Sequence, residues 1–338
     1  MKNTYEKEIE DINKQIAVVQ RLNDVNKDLR KYNWLFLHPY CQVLEINKLK
    51  RIVEEKDNAE DKILKHFAES FLELRSTIHF LDGFFATRPF LKDYKKSIDQ
   101  SVVLCLQKDF NGAINTLIPV IEGTLRKILI NKKGDHKIGE INIAELLKVF
   151  NYLSEDYVQL QREFLDIRFK GSINSFDANQ LKNILKKQKE YFDLWANQLV
   201  DYIKDNLYAN TKNFEIKDSF NRHIIFHSLS DETDYSFANY LRLFNCIQFL
   251  SWLIGVTRKE CFILSDADEK DVLNKWVDYF NILIVSESLT DTKKRIYGDI
   301  NIMEFKQYLH PEITKILTNP KLKIDKILNT YSILKSDL

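Results

Sequence analysis

The sequence predicts an all-α protein, because helix breakers are scarce, apolar residues recur at helical spacing and no long stretch alternates between apolar and polar residues. The 338 residues include only eight glycines and five prolines, the residue types that interrupt helices most strongly. Apolar side chains recur at steps of three and four residues, the spacing of one helix face. No alternation is long enough to require a sheet, although KECFIL at 259–264 is compatible with a short strand.

The first thirty residues carry the clearest amphipathic pattern. Its apolar stripe consists of Ile9, Ile12, Ile16, Val19, Leu22, Val25 and Leu29. Such a helix needs a partner for its apolar face, either within the chain or in a second copy. Because the stripe lasts only about three heptads, packing within the chain is favoured over a coiled coil.

Helical patterns continue along the rest of the chain, and Asn111 and Gly112 resemble a helix break between two of them. The predicted helices lie at about 34–55, 60–83, 92–109, 111–132, 140–153, 155–170, 179–207, a segment ending near 256, 269–288, 302–309 and 322–335. Predicted boundaries near 90, at TRPF, and at 257, where a break begins, divide the chain into an N-terminal helical region (1–90), a central helical bundle (91–256) and a C-terminal helical region (257–338).

The composition is typical of a soluble globular protein, with 44% hydrophobic and 29% charged residues. Lysine and arginine total 50 against 49 acidic residues, so any attraction for nucleic acid must be local. The most apolar stretch, 241–256, is shorter than a bilayer requires and contains Arg242, so no membrane association is expected.

Cysteine and glycine usage excludes several kinds of site. The four cysteines lack metal-ligand spacing and no signal peptide is recognised, which predicts reduced thiols in a cytoplasmic protein. No glycine-rich phosphate loop occurs, and SDADEKD at 265–271 lacks the glycine of a calcium loop, so it reads as a helix start. His223 and His227 are four residues apart, but no third ligand can be named. We therefore expect neither a metal nor a cofactor.

The most unusual stretch is NRHIIFHS, which begins at Asn221. It places Arg222 five residues before His227, with His223 and three apolar residues between them. Glu122 is a second unusual residue, because a carboxylate on a mostly apolar helix must be paired or reach a polar cavity. One interpretation is structural: Arg222 pairs with an acid such as Glu122 or Asp231, and both histidines are packing residues.

A second interpretation comes from a family resemblance. NRHIIFHS, at the head of an apolar helix in an all-helical chain, resembles the RxxxxH motif of HEPN-domain ribonucleases. AINTLIPVIEGTLRKIL, at 113–129, resembles the helix that precedes the motif in larger bacterial members. The resemblance covers about 95–256, and Ser228 stands where many relatives have glycine.

The resemblance implies an HEPN-like bundle and a metal-independent endoribonuclease, a toxin or anti-phage defence effector. In such enzymes the ribose 2′-OH attacks the adjacent phosphate and leaves a 2′,3′-cyclic phosphate. His227 would move protons, Arg222 would grip the phosphate and His223 would orient the substrate. Glu122 and Asn221 would lie next to these catalytic residues and help to position them. The implied partners are an RNA substrate and a second copy of the chain, which form a composite cleft.

Helix geometry limits how Arg222 and His227 can cooperate, since five residues turn a side chain by about 140°. If Asn221 or Ser219 caps the helix, Arg222 lies in the first turn and its long side chain can fold back. Two other hypotheses remain open. The chain could be a non-catalytic HEPN-like scaffold that binds a nucleotide or protein partner, or a regulatory subunit held to another protein by its N-terminal helix.

Overall fold

The computed structural model describes residues 4–36, 43–55, 57–134, 143–168, 176–209, 221, 222, 225, 235–261, 267–297, 305–309, 311 and 314. Throughout these residues the chain is all-α, as the sequence predicts, and no strand occurs. Residues 259–261 of the suggested short strand are turn and coil, and 262–264 lie outside the described residues. Of the helices in the described ranges, none is long and apolar enough to cross a membrane.

Helices of very different length make up the described chain. They are α1 (Thr4–Leu29), α2 (Val43–Glu55), α3 (Ala59–Leu72), α4 (Leu74–Ile78), α5 (Lys95–Leu106), α6 (Phe110–Lys133), α7 (Ile143–Arg168), α8 (Ala178–Asp205), α9 (Phe237–Gly255), α10 (Glu269–Ser288) and α11 (Thr290–Tyr297). Short 3-10 turns lie at Arg30–Tyr32, Lys92–Tyr94 and Phe305–Tyr308, and a π-helical segment lies at His79–Phe85.

Several helices begin where a polar side chain accepts a backbone N–H of the first turn. Asp177 and Gln180 form a capping box at α8. Asp109 caps α6, Ser236 caps α9 and Asp268 caps α10. The prediction that the acidic stretch before 269 starts a helix is therefore confirmed.

Two predicted boundaries of the first half are wrong. The helix expected at 60–83 is interrupted at Glu73, whose side chain accepts the N–H of Ser76 at 2.7 Å and so starts α4. The break expected at Asn111–Gly112 lies earlier, at Gln107–Asp109, where Lys108 has a left-handed φ of 62°. Gly112 instead lies in the first turn of α6, where a Cβ would come 2.7 Å from an oxygen of the capping Asp109.

Other boundaries also differ. The helices expected at 140–153 and 155–170 are one helix, α7, because the Ser154 hydroxyl donates to Asp193 at 2.6 Å instead of capping a new helix. The segment 34–36 is not helical, and α2 starts only at Val43. The element expected at 302–309 is the 3-10 turn Phe305–Tyr308. The helix expected at 322–335 lies outside the described residues.

The central layer is formed by α6, which packs against α5, α7 and α9, and by α8, which packs against α1, α7 and α9. The apolar stripe of α1 is buried along α8, which confirms the prediction that this helix packs within the chain. Asn26 fixes its end, since its side chain accepts the N–H of Phe36 and donates to Gln198 at 2.6 Å.

One contiguous hydrophobic core contains residues of all three predicted regions, from Val19 through Ile121 to Phe305. The buried Arg242 of α9 ties the central bundle to the N-terminal region. It donates to the backbone oxygen of Tyr32 at 3.0 Å and lies over the ring of Trp34. The boundaries near 90 and 257 stay predictions.

Candidate functional site

The segment that contains Arg222 is anchored to the end of α8. Asn221 is fully buried and its side-chain amide donates to the backbone oxygen of Ala209 at 2.8 Å. The N–H of Arg222 donates to the oxygen of Leu207 at 3.1 Å. The N–H of Ile225 donates to the oxygen of Asn221 at 3.0 Å, the spacing of an α-helical turn, and Arg222 is itself helical. Arg222 therefore lies in a first helical turn.

The side chain of Arg222 reaches α6 and pairs with Glu122. Its Nη1 lies 2.6 Å from Oε2 of Glu122, across a hundred residues of sequence. The other carboxylate oxygen, Oε1, accepts two hydrogen bonds from Arg126, at 2.6 and 3.0 Å. Arg126 follows Glu122 by one helical turn, which places both on one face of α6. A single carboxylate is thus shared by two arginines, one on each oxygen.

The ring of Tyr208 packs against the guanidinium of Arg222. The guanidinium carbon lies 4.7 Å from the centre of the tyrosine ring, within the range of a cation–π contact. Tyr208 is buried, and among the described residues nothing hydrogen bonds its hydroxyl. Burial raises the pKa of this hydroxyl, and the nearby Glu122 carboxylate raises it further. The tyrosine therefore stays neutral, with its ring against the guanidinium of Arg222.

The Glu122 carboxyl is ionised at neutral pH. Burial by itself would raise its pKa, but the hydrogen bonds and charges of Arg126 and Arg222 outweigh burial and lower the pKa below its ordinary value of 4.5. Two guanidinium groups against one carboxylate leave one positive charge in excess, in a chain whose net charge is only +1.

The cluster is partly open to solvent. The side chain of Arg222 is 33% exposed, against 16% for Glu122. A ligand can thus approach Arg222 without unfolding the helices that carry it. A guanidinium that is one-third exposed, and that contacts a ring on one side and a carboxylate on another, is chemically suited to bind an anion.

The structure therefore brings Arg222 together with Glu122, and Asn221 anchors the segment that carries Arg222. The ion pair of Arg222 with Glu122 foreseen in the structural interpretation is present. His223 and His227, with Ser228 and the alternative acid Asp231, lie outside the described residues.

Sequence reasoning missed two members of the cluster, Arg126 and Tyr208. Arg126 had a readable signal, because it stands four residues after the unusual Glu122 on a helix. Tyr208 had none, since its position depends on how the end of α8 meets α6. Across the described ranges, no group of three or more histidine, cysteine or acidic residues could hold a metal ion.

A cavity of about 450 Å³ lies elsewhere, between α10, α11 and the α5–α6 connection. It is lined by Gln107, Asp109, Asn281, Ile282, Val285, Ser286, Leu289 and Lys293. None of these residues belongs to the arginine–glutamate cluster.

Comparison with known proteins finds no family model, no curated protein and no solved structure that matches this chain. The HEPN assignment therefore stays a prediction, made from the residues of the motif and of 113–129.

Proposed function

We propose that the chain is a metal-independent endoribonuclease of the HEPN type, which acts in the cytoplasm as a toxin or anti-phage defence effector. The observation that supports it best is the setting of Arg222. This arginine lies in a first helical turn, is oriented by Glu122 and Tyr208, and is still one-third exposed. These are the properties required of a side chain that grips a phosphate presented from solvent.

In the proposed reaction the ribose 2′-oxygen forms a bond to the adjacent phosphorus, and the bond from phosphorus to the 5′-oxygen breaks. One proton leaves the 2′-OH and another goes to the departing 5′-oxygen. His227 carries out proton transfer, since histidine titrates near neutral pH, and His223 orients the substrate. Arg222 stabilises the negative charge that develops on the phosphate. A homodimer supplies a second His227.

A second candidate is a non-catalytic HEPN-like scaffold that binds a nucleotide or protein partner. The short contact between Arg222 and Glu122 favours it, because a guanidinium already paired with a carboxylate is a weaker phosphate ligand. A scaffold of this kind would bind without cutting RNA.

The test compares RNA cleavage by the wild type with cleavage by Arg222→Ala and His227→Ala, in EDTA. Loss of general acid–base catalysis costs about 10²–10⁴-fold, and loss of a charge on the phosphate costs a similar factor. Both variants should therefore be inactive, and the wild type should leave 2′,3′-cyclic phosphate ends. Arg75→Ala is a matched control, because Arg75 is a partly exposed arginine whose ion pair with Glu269 shares no residue with the pairs of Glu122.

Three results would refute parts of the proposal. A wild type that binds RNA without cutting it supports the scaffold. Cleavage that EDTA abolishes and magnesium restores excludes the metal-independent mechanism. Light scattering that gives a monomer of about 40 kDa at micromolar concentration removes the composite cleft.

A further inference from the structure

The two arginines on Glu122 hold it in different ways. Arg126 is on the same helix and donates two hydrogen bonds to Oε1. Arg222 comes from a separate segment and donates one hydrogen bond to Oε2. Breaking the contact with Arg222 therefore leaves the carboxylate paired with Arg126, and no partly buried charge is stranded.

The contact that can be released is also the one that a phosphate would need. A carboxylate and a phosphate both present oxygens that accept charge-assisted hydrogen bonds from a guanidinium. The carboxylate oxygen of Glu122 thus accepts the hydrogen bond from Arg222 that a phosphate oxygen would accept. An anion that approached Arg222 with Glu122 still in contact would be repelled by the ionised carboxylate.

We propose that Glu122 is an internal substitute for the substrate phosphate on Arg222, which a phosphodiester displaces while Arg126 retains the carboxylate. Arg222 is then the exchangeable partner and Arg126 the permanent one. That the displacing phosphate belongs to RNA rests on the proposed function, whereas the exchange itself depends only on the cluster. In the absence of substrate the contact with Glu122 occupies the guanidinium of Arg222 and restrains the site.

Substitutions in the cluster should change anion affinity in opposite directions. Glu122→Gln keeps the shape of the side chain and removes the competing charge, so affinity for a phosphodiester should rise about tenfold. Arg126→Ala removes the permanent partner and leaves Glu122 to Arg222 alone, so affinity should fall by a similar factor. The double variant Glu122→Gln/Arg126→Ala has no carboxylate that competes for Arg222, so it should bind at least as tightly as the wild type.

The measurement is fluorescence anisotropy with a labelled 2′-O-methyl RNA oligonucleotide, which the protein cannot cleave through 2′-OH attack. Inorganic phosphate serves as a competitor, and thermal melting shows that each variant is folded. Glu269→Gln is a control for loss of one negative charge, because Glu269 pairs with Arg75 outside the cluster. This variant should bind the oligonucleotide within about twofold of the wild-type affinity.

Weaker binding by Glu122→Gln would overturn the inference, because it would show that Glu122 only positions Arg222. A double variant as weak as Arg126→Ala would also overturn it, because Arg126 would then bind the phosphate itself. The expected pattern in a protein that never cuts RNA supports the exchange and refutes the ribonuclease. Cleavage without that pattern supports the ribonuclease and refutes the exchange.

Discussion

Replacing Lys108 by methionine should destabilise the protein by about 3–5 kcal/mol, the cost of leaving a buried charge without its partner. Lys108 and Glu287 form an ion pair at 2.9 Å, and their side chains are only 2% and 3% exposed. Lys108 also donates to Thr290 at 2.7 Å. Without the ammonium group, the Glu287 carboxylate still accepts a hydrogen bond from the N–H of Phe305 at 3.2 Å. None of the described residues hydrogen bonds its Oε2.

The large cost expected for Lys108→Met follows from burial of its ion pair, and an exposed ion pair provides the comparison. Lys14 and Glu10 lie 3.1 Å apart with side chains 67% and 39% exposed. Lys14→Met should therefore cost less than about 1 kcal/mol. Both variants replace a lysine by a chain of similar length, so the difference between them reports the loss of the buried pair together with the hydrogen bond to Thr290.

Urea unfolding followed by circular dichroism measures both free energies of unfolding. The double variant Lys108→Met/Glu287→Leu should be more stable than Lys108→Met alone, because no charge is left buried. It retains a residual cost, since the N–H of Phe305 loses its acceptor. If Lys108→Met costs no more than Lys14→Met, the reasoning from buried charge is refuted.

Two further predictions concern Arg222 and His66. Arg222→Ala should cost only about 1–2 kcal/mol in urea unfolding, because Arg126 keeps Glu122 paired; a loss as large as that of Lys108→Met would make the residue mainly structural. Burial, helped by the charge of Lys48, lowers the pKa of His66 from 6.5 to about 4, so the folded protein keeps it neutral while the unfolded chain takes up a proton. Stability from this residue is complete above pH 6.5 and is lost as the pH falls towards 4, by about 2 kcal/mol between pH 7 and pH 5. His66→Leu should show a smaller loss over that range, and an equal loss would contradict the assignment.

The sequence predicts elements well where local signals agree. The helix at 269–288 is found at those residues, because a capping aspartate, a first turn rich in acids and an apolar face all point to the same start. The helix at 60–83 is wrongly predicted as continuous, because the cap made by Glu73 competes with a pattern that contains no glycine or proline break there. Local hydrogen bonds of this kind leave little trace in apolar spacing.

The candidate site is predicted in part. Arg222 and Glu122 are both unusual in their surroundings, and the sequence indicates that each needs a partner. It also offers Asp231 as an acid for Arg222, and spacing alone cannot choose between the two. The choice of Glu122 depends on the end of α8 and the segment at 221–222 lying against α6, which the structure shows.

By itself the sequence determines the all-α class, the buried stripe of α1 and the presence of an arginine and a glutamate in apolar segments. These follow from spacing and composition, which act over one or two helical turns. Only the tertiary structure decides that Arg126 and Arg222 share one carboxylate and that the ring of Tyr208 lies against the guanidinium of Arg222. Residues separated by about a hundred positions meet through packing of whole helices, and no local pattern records which faces come into contact.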